Sequence, residues 1–71
     1  MEYVINLKWD DSAQVWIATS KDIPGLVLES GSYDALIEKI KVAVPELIEL
    51  NNQKPAYAYT YCSERRQRVY A

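Results

Sequence analysis

The sequence predicts a small two-layer α+β protein: a mostly antiparallel sheet in the order β-β-β-α-β, with one long helix packed on one face. Three observations support this prediction. Polar and apolar residues alternate before residue 20 and again after residue 55, as they do in half-buried strands. Between these segments, residues 32–51 repeat apolar side chains every three or four positions, as in an amphipathic helix. An Asp-Ile-Pro-Gly turn at residues 22–25 separates the two patterns.

The first two strands are expected to form a hairpin. Residues 3–9 alternate in polarity, and residues 14–19 are rich in β-branched and aromatic side chains. The Asp and Ser residues between them favour a turn, because their side chains bond to nearby backbone N–H groups. One or both tryptophans are expected in the core. If the alternation holds, Trp9 points inward, and an outward-pointing Trp16 that anchors a partner is the alternative to a core position.

A third strand and a fourth complete the predicted sheet. The Pro24-Gly25 pair predicts a tight turn into a strand over residues 26–30, which extends the hairpin into a meander. After Pro55 the period returns to two, and one strand is expected to run from Tyr57 to Val69. If this strand lies parallel to the third, the connection between them should be right-handed.

The helix between those strands has clear ends and one internal proline. Ser32 is the expected N-cap. Asn51 and Asn52 are expected to end the helix, because Asn tolerates the left-handed backbone conformation. Pro45 removes one backbone hydrogen bond inside the apolar stripe. Because the stripe continues in phase beyond it, we expect a kink rather than a break.

Composition limits what the chain can be. Its 71 residues predict a single domain spanning residues 1–71, with a core of marginal size. The sole cysteine and the absence of histidine exclude an internal disulfide and the common zinc sites, and no cofactor is expected. Cys62 is expected to be a buried structural residue. We expect a second subunit to add stability, and hence a homodimer.

The predicted location is the cytoplasm. A single unpaired thiol fits a reducing compartment. Residues 1–9 lack the basic start and apolar run of a signal peptide. No apolar stretch approaches the roughly 20 residues that cross a bilayer.

Charge is divided unevenly along the chain. Residues 1–53 hold nine acidic residues and four lysines, whereas residues 54–71 hold four basic residues and one acidic residue. A solvated surface with a basic tail is one interpretation. The other is an acidic body that attracts a basic partner. Direct binding of nucleic acid by that body is disfavoured, because phosphate contacts need a cationic surface.

No catalytic residues are predicted, and the protein is not expected to be an enzyme. Without histidine there is no ready proton acceptor near neutral pH. Asp10 and Asp11 are adjacent on a turn, and Asp22 precedes the Pro-Gly pair, so local turn structure explains all three.

Two candidate contact surfaces remain. Tryptophan is enriched at interface hot spots, so an indole beside exposed carboxylates is a candidate anchor for a protein partner. The partner-binding candidates are Trp9, Asp10, Asp11, Trp16 and Asp22. The dimer contact is expected in the last strand or in the helix, and the candidates in the last strand and the tail are Tyr57, Tyr59, Tyr61, Arg66 and Arg68. The same tyrosines and arginines also allow an alternative, a stacking platform for single-stranded nucleic acid.

The order of elements and several short segments resemble the HicB-like antitoxin domain along nearly the whole chain. The segments are Trp9-Asp10, Val15-Trp16-Ile17-Ala18, Asp22-Ile23-Pro24-Gly25-Leu26 and Tyr33-Asp34-Ala35-Leu36. Residues 44–51, Val-Pro-Glu-Leu-Ile-Glu-Leu-Asn, resemble in particular a HicB-related family of short, uncharacterised bacterial proteins.

The resemblance implies a non-enzymatic antitoxin that binds a small basic toxin of the HicA type, an RNA-cleaving protein, and masks its active site. Many HicB proteins carry a second, DNA-binding domain at the C-terminus, which these 71 residues do not contain. The implied function therefore does not extend to operator binding. A repurposed HicB-like dimer with an unknown ligand is the alternative within the same resemblance.

Overall fold

The computed structural model describes residues 2–55 and 58–64, and these form four strands and one helix in the predicted order. The elements are β1 (Glu2–Asp10), β2 (Val15–Thr19), β3 (Val27–Ser30), α1 (Tyr33–Leu50) and β4 (Ala58–Glu64). The strands make one sheet in the order β3-β2-β1-β4, with the helix on one face. The predicted α+β class is confirmed.

The sheet is antiparallel except at one edge. β1 pairs antiparallel with β2, and β2 pairs antiparallel with β3. β4 returns to pair with β1 in parallel, so it runs in the same direction as β3. β3 and β4 therefore form the two edges of the described sheet. The second and third strands each begin one residue later than the sequence suggested, at Val15 and Val27.

The helix ends are those that the sequence indicates. The Ser32 hydroxyl accepts a hydrogen bond from the Ala35 N–H at 3.3 Å, which satisfies a free donor of the first turn. At the other end, Asn52 has a positive φ of 55°. The N–H of Gln53 donates to the Ile48 carbonyl at 2.9 Å, as in a Schellman motif. The helix is continuous through Pro45, which confirms that the proline does not break it. A kink at this position remains a prediction.

The core lies between α1 and the sheet face beneath it. Its residues come from β1, from the Asp-Ile-Pro-Gly turn and from one stripe of the helix, because the two periods bring these side chains to one plane. Fully burying each large aliphatic side chain stabilises the fold by about 1.5–3 kcal/mol. The buried set is Tyr3, Ile5, Leu7, Ala18, Ile23, Leu26, Leu36, Ile40, Val44 and Ile48.

The opposite face of the sheet is not covered by any other described element. Even-numbered residues of β1 and odd-numbered residues of β2 point to this side, and Cys62 of β4 does so as well. Cys62 is exposed, so the expectation that it is buried is wrong. The alternation in β4 indicated the period correctly, but not which of its two faces the helix covers.

Part of the predicted last strand lies outside the described residues. The described strand ends at Glu64, and Tyr57, Arg66 and Arg68 are not among the residues that the structure describes. Within the described ranges, the helix does not combine the length and apolar character needed to span a bilayer.

Candidate partner-binding site

Three aromatic rings lie in contact at one end of the sheet. The ring centroids of Trp9 and Trp16 are 5.5 Å apart, and those of Trp16 and Tyr33 are 5.1 Å apart, both in edge-to-face arrangements. The Tyr33 hydroxyl and the Ser63 hydroxyl are 3.1 Å apart and share a hydrogen bond. Aromatic pairs of this kind add about 0.5–1.5 kcal/mol beyond the area that they bury. The cluster thus joins β1, β2, the start of α1 and the end of β4.

Trp16 points towards the helix side of the sheet, as the core interpretation expects, and the alternative that it points outward is wrong. The hairpin register places Trp9 directly opposite Trp16, and opposed residues share a face. Residues 11–14 form the turn, and Gln14 takes a positive φ of 57°. The predicted turn over residues 10–13 has the same length, so the predicted and the observed strand bounds both put Trp16 on the face of Trp9.

Both tryptophans are only half buried, although they share the core face. Trp16 packs against the edge of the core cluster, whereas the centre of the core lies further along the strands. Tyr33, the first helical residue, remains 36% exposed. A half-buried aromatic cluster at the end of a sheet offers a rigid apolar surface to a partner.

Sequence reasoning missed Tyr33 and Ser63 as members of this cluster. The available signal was topological: β3 runs antiparallel to β2, so its last residue, Ser30, lies beside Trp16. The helix that starts directly after β3 must therefore begin near the hairpin turn. The position of Ser63 depends on the parallel pairing of β4, which no local pattern indicates.

Asp10 carries a firmly ionised carboxylate at this end. Its Oδ1 accepts bonds from the Ser12 hydroxyl at 2.7 Å, the Ser12 N–H at 3.1 Å and the Ala13 N–H at 3.3 Å. These bonds, the Ser12 hydroxyl above all, together with the charge of Lys8, lower the pKa of Asp10 below its ordinary value of 3.8. Each of these bonds ends on Oδ1, so Oδ2 is left to face solvent or a partner.

Asp11 and Asp34 add charge beside Asp10. The indole N–H of Trp9 donates to Asp11 Oδ1 at 3.3 Å, which holds the carboxylate next to the aromatic cluster. The Gln14 side-chain amide donates to the Asp11 carbonyl at 2.6 Å and fixes the turn. Asp34 lies in the first turn of the helix. We call this region, defined by Trp9, Asp10, Asp11, Trp16, Tyr33 and Asp34, the hairpin end.

Asp22 is not part of the hairpin end. Its Oδ2 accepts the Val4 N–H at 2.8 Å, and Val4 lies six residues before Asp10 along β1, a distance of about 20 Å. β2 ends at Thr19, so the Asp22 side chain takes the place of a strand partner for Val4. The Gln53 side-chain amide donates to the Asp22 carbonyl at 2.6 Å and ties the turn to the helix C-terminus.

The described tyrosines of β4 lie on the helix side of the sheet. Tyr59 is opposite Tyr3 and Tyr61 is opposite Ile5. The Tyr3 and Tyr59 rings stack with centroids 6.5 Å apart. Tyr59 and Tyr61 remain 39% and 38% exposed, so the structure places these two dimer candidates on one partly open face.

A shallow groove of about 470 Å³ lies beside Tyr59, between the end of the helix and the following segment. Among the described residues of its lining, Glu49 and Tyr59 are the ones with ionisable side chains. The lining residues are Pro45, Ile48, Glu49, Asn52, Gln53, Pro55 and Tyr59. Within residues 2–55 and 58–64, no three carboxylate or thiol side chains converge closely enough to hold a metal ion.

The fold and the hairpin end define a small two-layer α+β protein with an aromatic, acidic surface at one end of its sheet. The chain belongs to the family described as "Domain of unknown function (DUF1902)", whose model matches residues 2–71.

A solved structure of a relative agrees with the fold. A hypothetical protein from the extremely thermophilic bacterium Thermus thermophilus is 34% identical, with a TM-score of 0.78. The alignment covers 99% of this chain and 100% of that one. No functionally curated protein matches the chain. Neither the family description nor the relative's name mentions HicB or an antitoxin. The resemblance to the HicB-like antitoxin domain therefore remains a prediction.

Proposed function

We propose that this protein is a non-enzymatic, HicB-type antitoxin that binds and masks a small basic toxin of the HicA type. The observation that carries the proposal is the hairpin end, where a half-buried aromatic cluster lies beside the carboxylates of Asp10 and Asp11. A basic toxin that binds RNA must present a cationic surface. An acidic surface of matching size would cover it, and a rigid aromatic centre would supply contact area.

Two properties of the hairpin end favour a protein partner. Its aromatic rings are held by each other and by the Tyr33–Ser63 hydrogen bond, so little side-chain freedom is lost on binding. Its charge comes from Asp10 at the end of β1, from Asp11 in the turn and from Asp34 in the first turn of the helix, so carboxylates lie on elements that also carry the rings. An apolar centre with a charged rim is the usual anatomy of a protein interface.

The first experiment is purification of the tagged protein from the cells that produce it, with mass spectrometry of what accompanies it. A stoichiometric small basic protein is the expected result. Recovery of this chain alone, under conditions that preserve weak complexes, would contradict the antitoxin proposal and favour a repurposed HicB-like dimer.

The position of the interface has a direct optical readout. Both tryptophans of the chain lie at the hairpin end, so tryptophan fluorescence, excited at a wavelength that the tyrosines do not absorb, reports on this region alone. Titration with the captured partner, itself prepared with its tryptophans replaced if it has any, should shift the emission. An unchanged spectrum at saturation would place the partner elsewhere.

A matched pair of variants tests the charge. Asp11→Asn removes one charge at the hairpin end and keeps the side-chain oxygen that accepts the Trp9 N–H. Asp22→Asn removes the same charge about 20 Å away and keeps the acceptor for Val4. We expect Asp11→Asn to weaken binding several-fold, mainly through the association rate and less at high salt, and Asp22→Asn to leave it unchanged. Equal effects would show only a general charge dependence.

The alternative is a nucleic-acid-binding module. The observation in its favour is that Tyr59 and Tyr61 are partly exposed on one face, as stacking residues would be. The arginines that would contact phosphates are outside the described residues, and Tyr59 already stacks on Tyr3. A salt-sensitive shift of single-stranded RNA that disappears in Tyr59→Ala would favour this alternative over the antitoxin proposal.

A further inference from the structure

The two edges of the sheet differ in how well they are protected. β3 has only four residues, and the Lys39 ammonium donates to the Glu29 carbonyl at 2.9 Å, which occupies one of its backbone acceptors. β4 has seven residues and pairs only with β1 among the described elements. Natural edge strands usually avoid further pairing by being short or by carrying Lys or Pro. β4 has none of these features, and its one charged residue is at its end.

The helix also leaves β4 partly uncovered. α1 packs over β2 and β3, at the other side of the sheet. Tyr59 and Tyr61 consequently keep more than a third of their surface exposed, although they face the helix side. An open strand edge and two partly open tyrosines therefore lie side by side.

We propose that β4 pairs antiparallel with β4 of a second copy, so that two four-stranded sheets join into one of eight strands. In an antiparallel pair related by a twofold axis perpendicular to the sheet, one residue must face its own twin. Pairing of all seven residues puts Tyr61 at that centre. Residue 60 then lies opposite residue 62, and residue 59 lies opposite residue 63.

A second copy fits this edge better than an unrelated strand because β4 is self-complementary in that register. By sequence its only charged residue is Glu64, and the register pairs position 64 with position 58, so it does not place a charged residue opposite its own twin. Tyr61 meets Tyr61 on the helix side, where cross-strand aromatic pairs stabilise a sheet. Both helices then lie on one face of the joined sheet, with the four tyrosines between them.

The expected contact is of adequate but modest size. The contact would include two seven-residue strand edges and four tyrosines, and it would bury on the order of 1,000 Å² of accessible surface in total. This area is close to the lower limit for a specific interface. The dimer should therefore dissociate on dilution. This inference does not depend on the antitoxin proposal, because the β4 edge is separate from the aromatic and acidic side chains of the hairpin end.

Light scattering after size exclusion, at increasing protein concentration, tests the dimer. We expect the parent protein to shift from monomer to dimer as its concentration rises. Tyr61→Lys should raise the dissociation constant about tenfold or more, because two lysines would face each other at the centre of the contact. The control is Val42→Lys, on the exposed side of the helix with 65% of its surface free. A monomer at every concentration would overturn the proposal. So would a dimer that resists Tyr61→Lys or is lost in Val42→Lys.

Disulfide cross-linking tests the register separately. Tyr61→Cys combined with Cys62→Ser puts the single thiol opposite its twin, and we expect oxidation to link the dimer readily. In the unaltered protein, the two Cys62 residues would have Cα atoms about 8 Å apart on the diagonal, beyond the reach of a disulfide. Rapid linking through the native Cys62, with little linking through position 61, would refute this register.

Discussion

The two glycines of this chain should respond oppositely to the same substitution. Gly25 follows Pro24 in the turn and has a φ of +88°, a conformation that L residues rarely adopt. An added Cβ at Gly25 would lie 3.5 Å from Leu47 Cδ2, which is an ordinary contact. Any cost of Gly25→Ala is therefore conformational and not steric. We expect about 1–2 kcal/mol of destabilisation.

At Gly31 the backbone is outside the left-handed region, and an added Cβ would lie 3.8 Å from the Gln14 carbonyl oxygen. Alanine fits there without strain and reduces the freedom of the unfolded chain. We expect Gly31→Ala to leave stability unchanged or to raise it by about 0.4–1 kcal/mol. The difference between the two variants is then about 1–3 kcal/mol.

Urea denaturation followed by far-UV circular dichroism gives both values, with thermal unfolding as a second measure. For a chain of this length, 1 kcal/mol corresponds to about 4–8 °C in Tm. Gly25→Ala should therefore melt several degrees below the parent and Gly31→Ala at or above it. Equal losses in the two variants would refute the reasoning, because they would mean that space and not backbone conformation limits both positions.

Three further changes have defined outcomes. Hydrogen bonds lower the pKa of Asp10 in the folded protein, so stability should fall as the pH drops from about 3.8 through that lower pKa. Asp10→Asn should make the urea midpoint less dependent on pH in this range. Asn52 has a φ of 55°, so Asn52→Ala should lower the free energy of unfolding by about 1 kcal/mol, whereas Asn52→Gly should leave it essentially unchanged; urea midpoints measure both. Ile40→Ala should cost about 2–5 kcal/mol, because Ile40 is 1% exposed in the core, whereas Val42→Ala on the open helix face should change stability by less than about 0.5 kcal/mol. Similar losses at Ile40 and Val42 would contradict the assigned helix face.

Local patterns determined the elements of this protein. Strand and helix periods depend only on neighbouring residues, so β1, β2, β3 and the helix were predictable within one or two residues. The hydrogen bonds at both ends of the helix, at Ser32 and around Asn52, join residues within five positions of each other. The sequence was therefore sufficient to predict where the helix begins and ends.

The hairpin end was predictable only in part. The sequence identified Trp9, Asp10 and Asp11 because a turn collects them. It left the face of Trp16 open, because alternation alone does not fix how two strands pair, and a one-residue change of register moves every side chain to the other face. It grouped Asp22 with Asp10 and Asp11 because all three are aspartates near turns. In the structure, Asp22 binds Val4 at the other end of β1 from the hairpin turn.

Tertiary structure decided everything that depends on distant segments meeting. The parallel return of β4 to β1 brings Ser63 to Tyr33 and Tyr59 to Tyr3, and it puts β4 at one edge of the described sheet. The sheet face that the helix covers decides that Cys62 is exposed. Alternation along a strand specifies two faces but cannot say which will be covered, because that choice is made by packing between elements far apart in the chain.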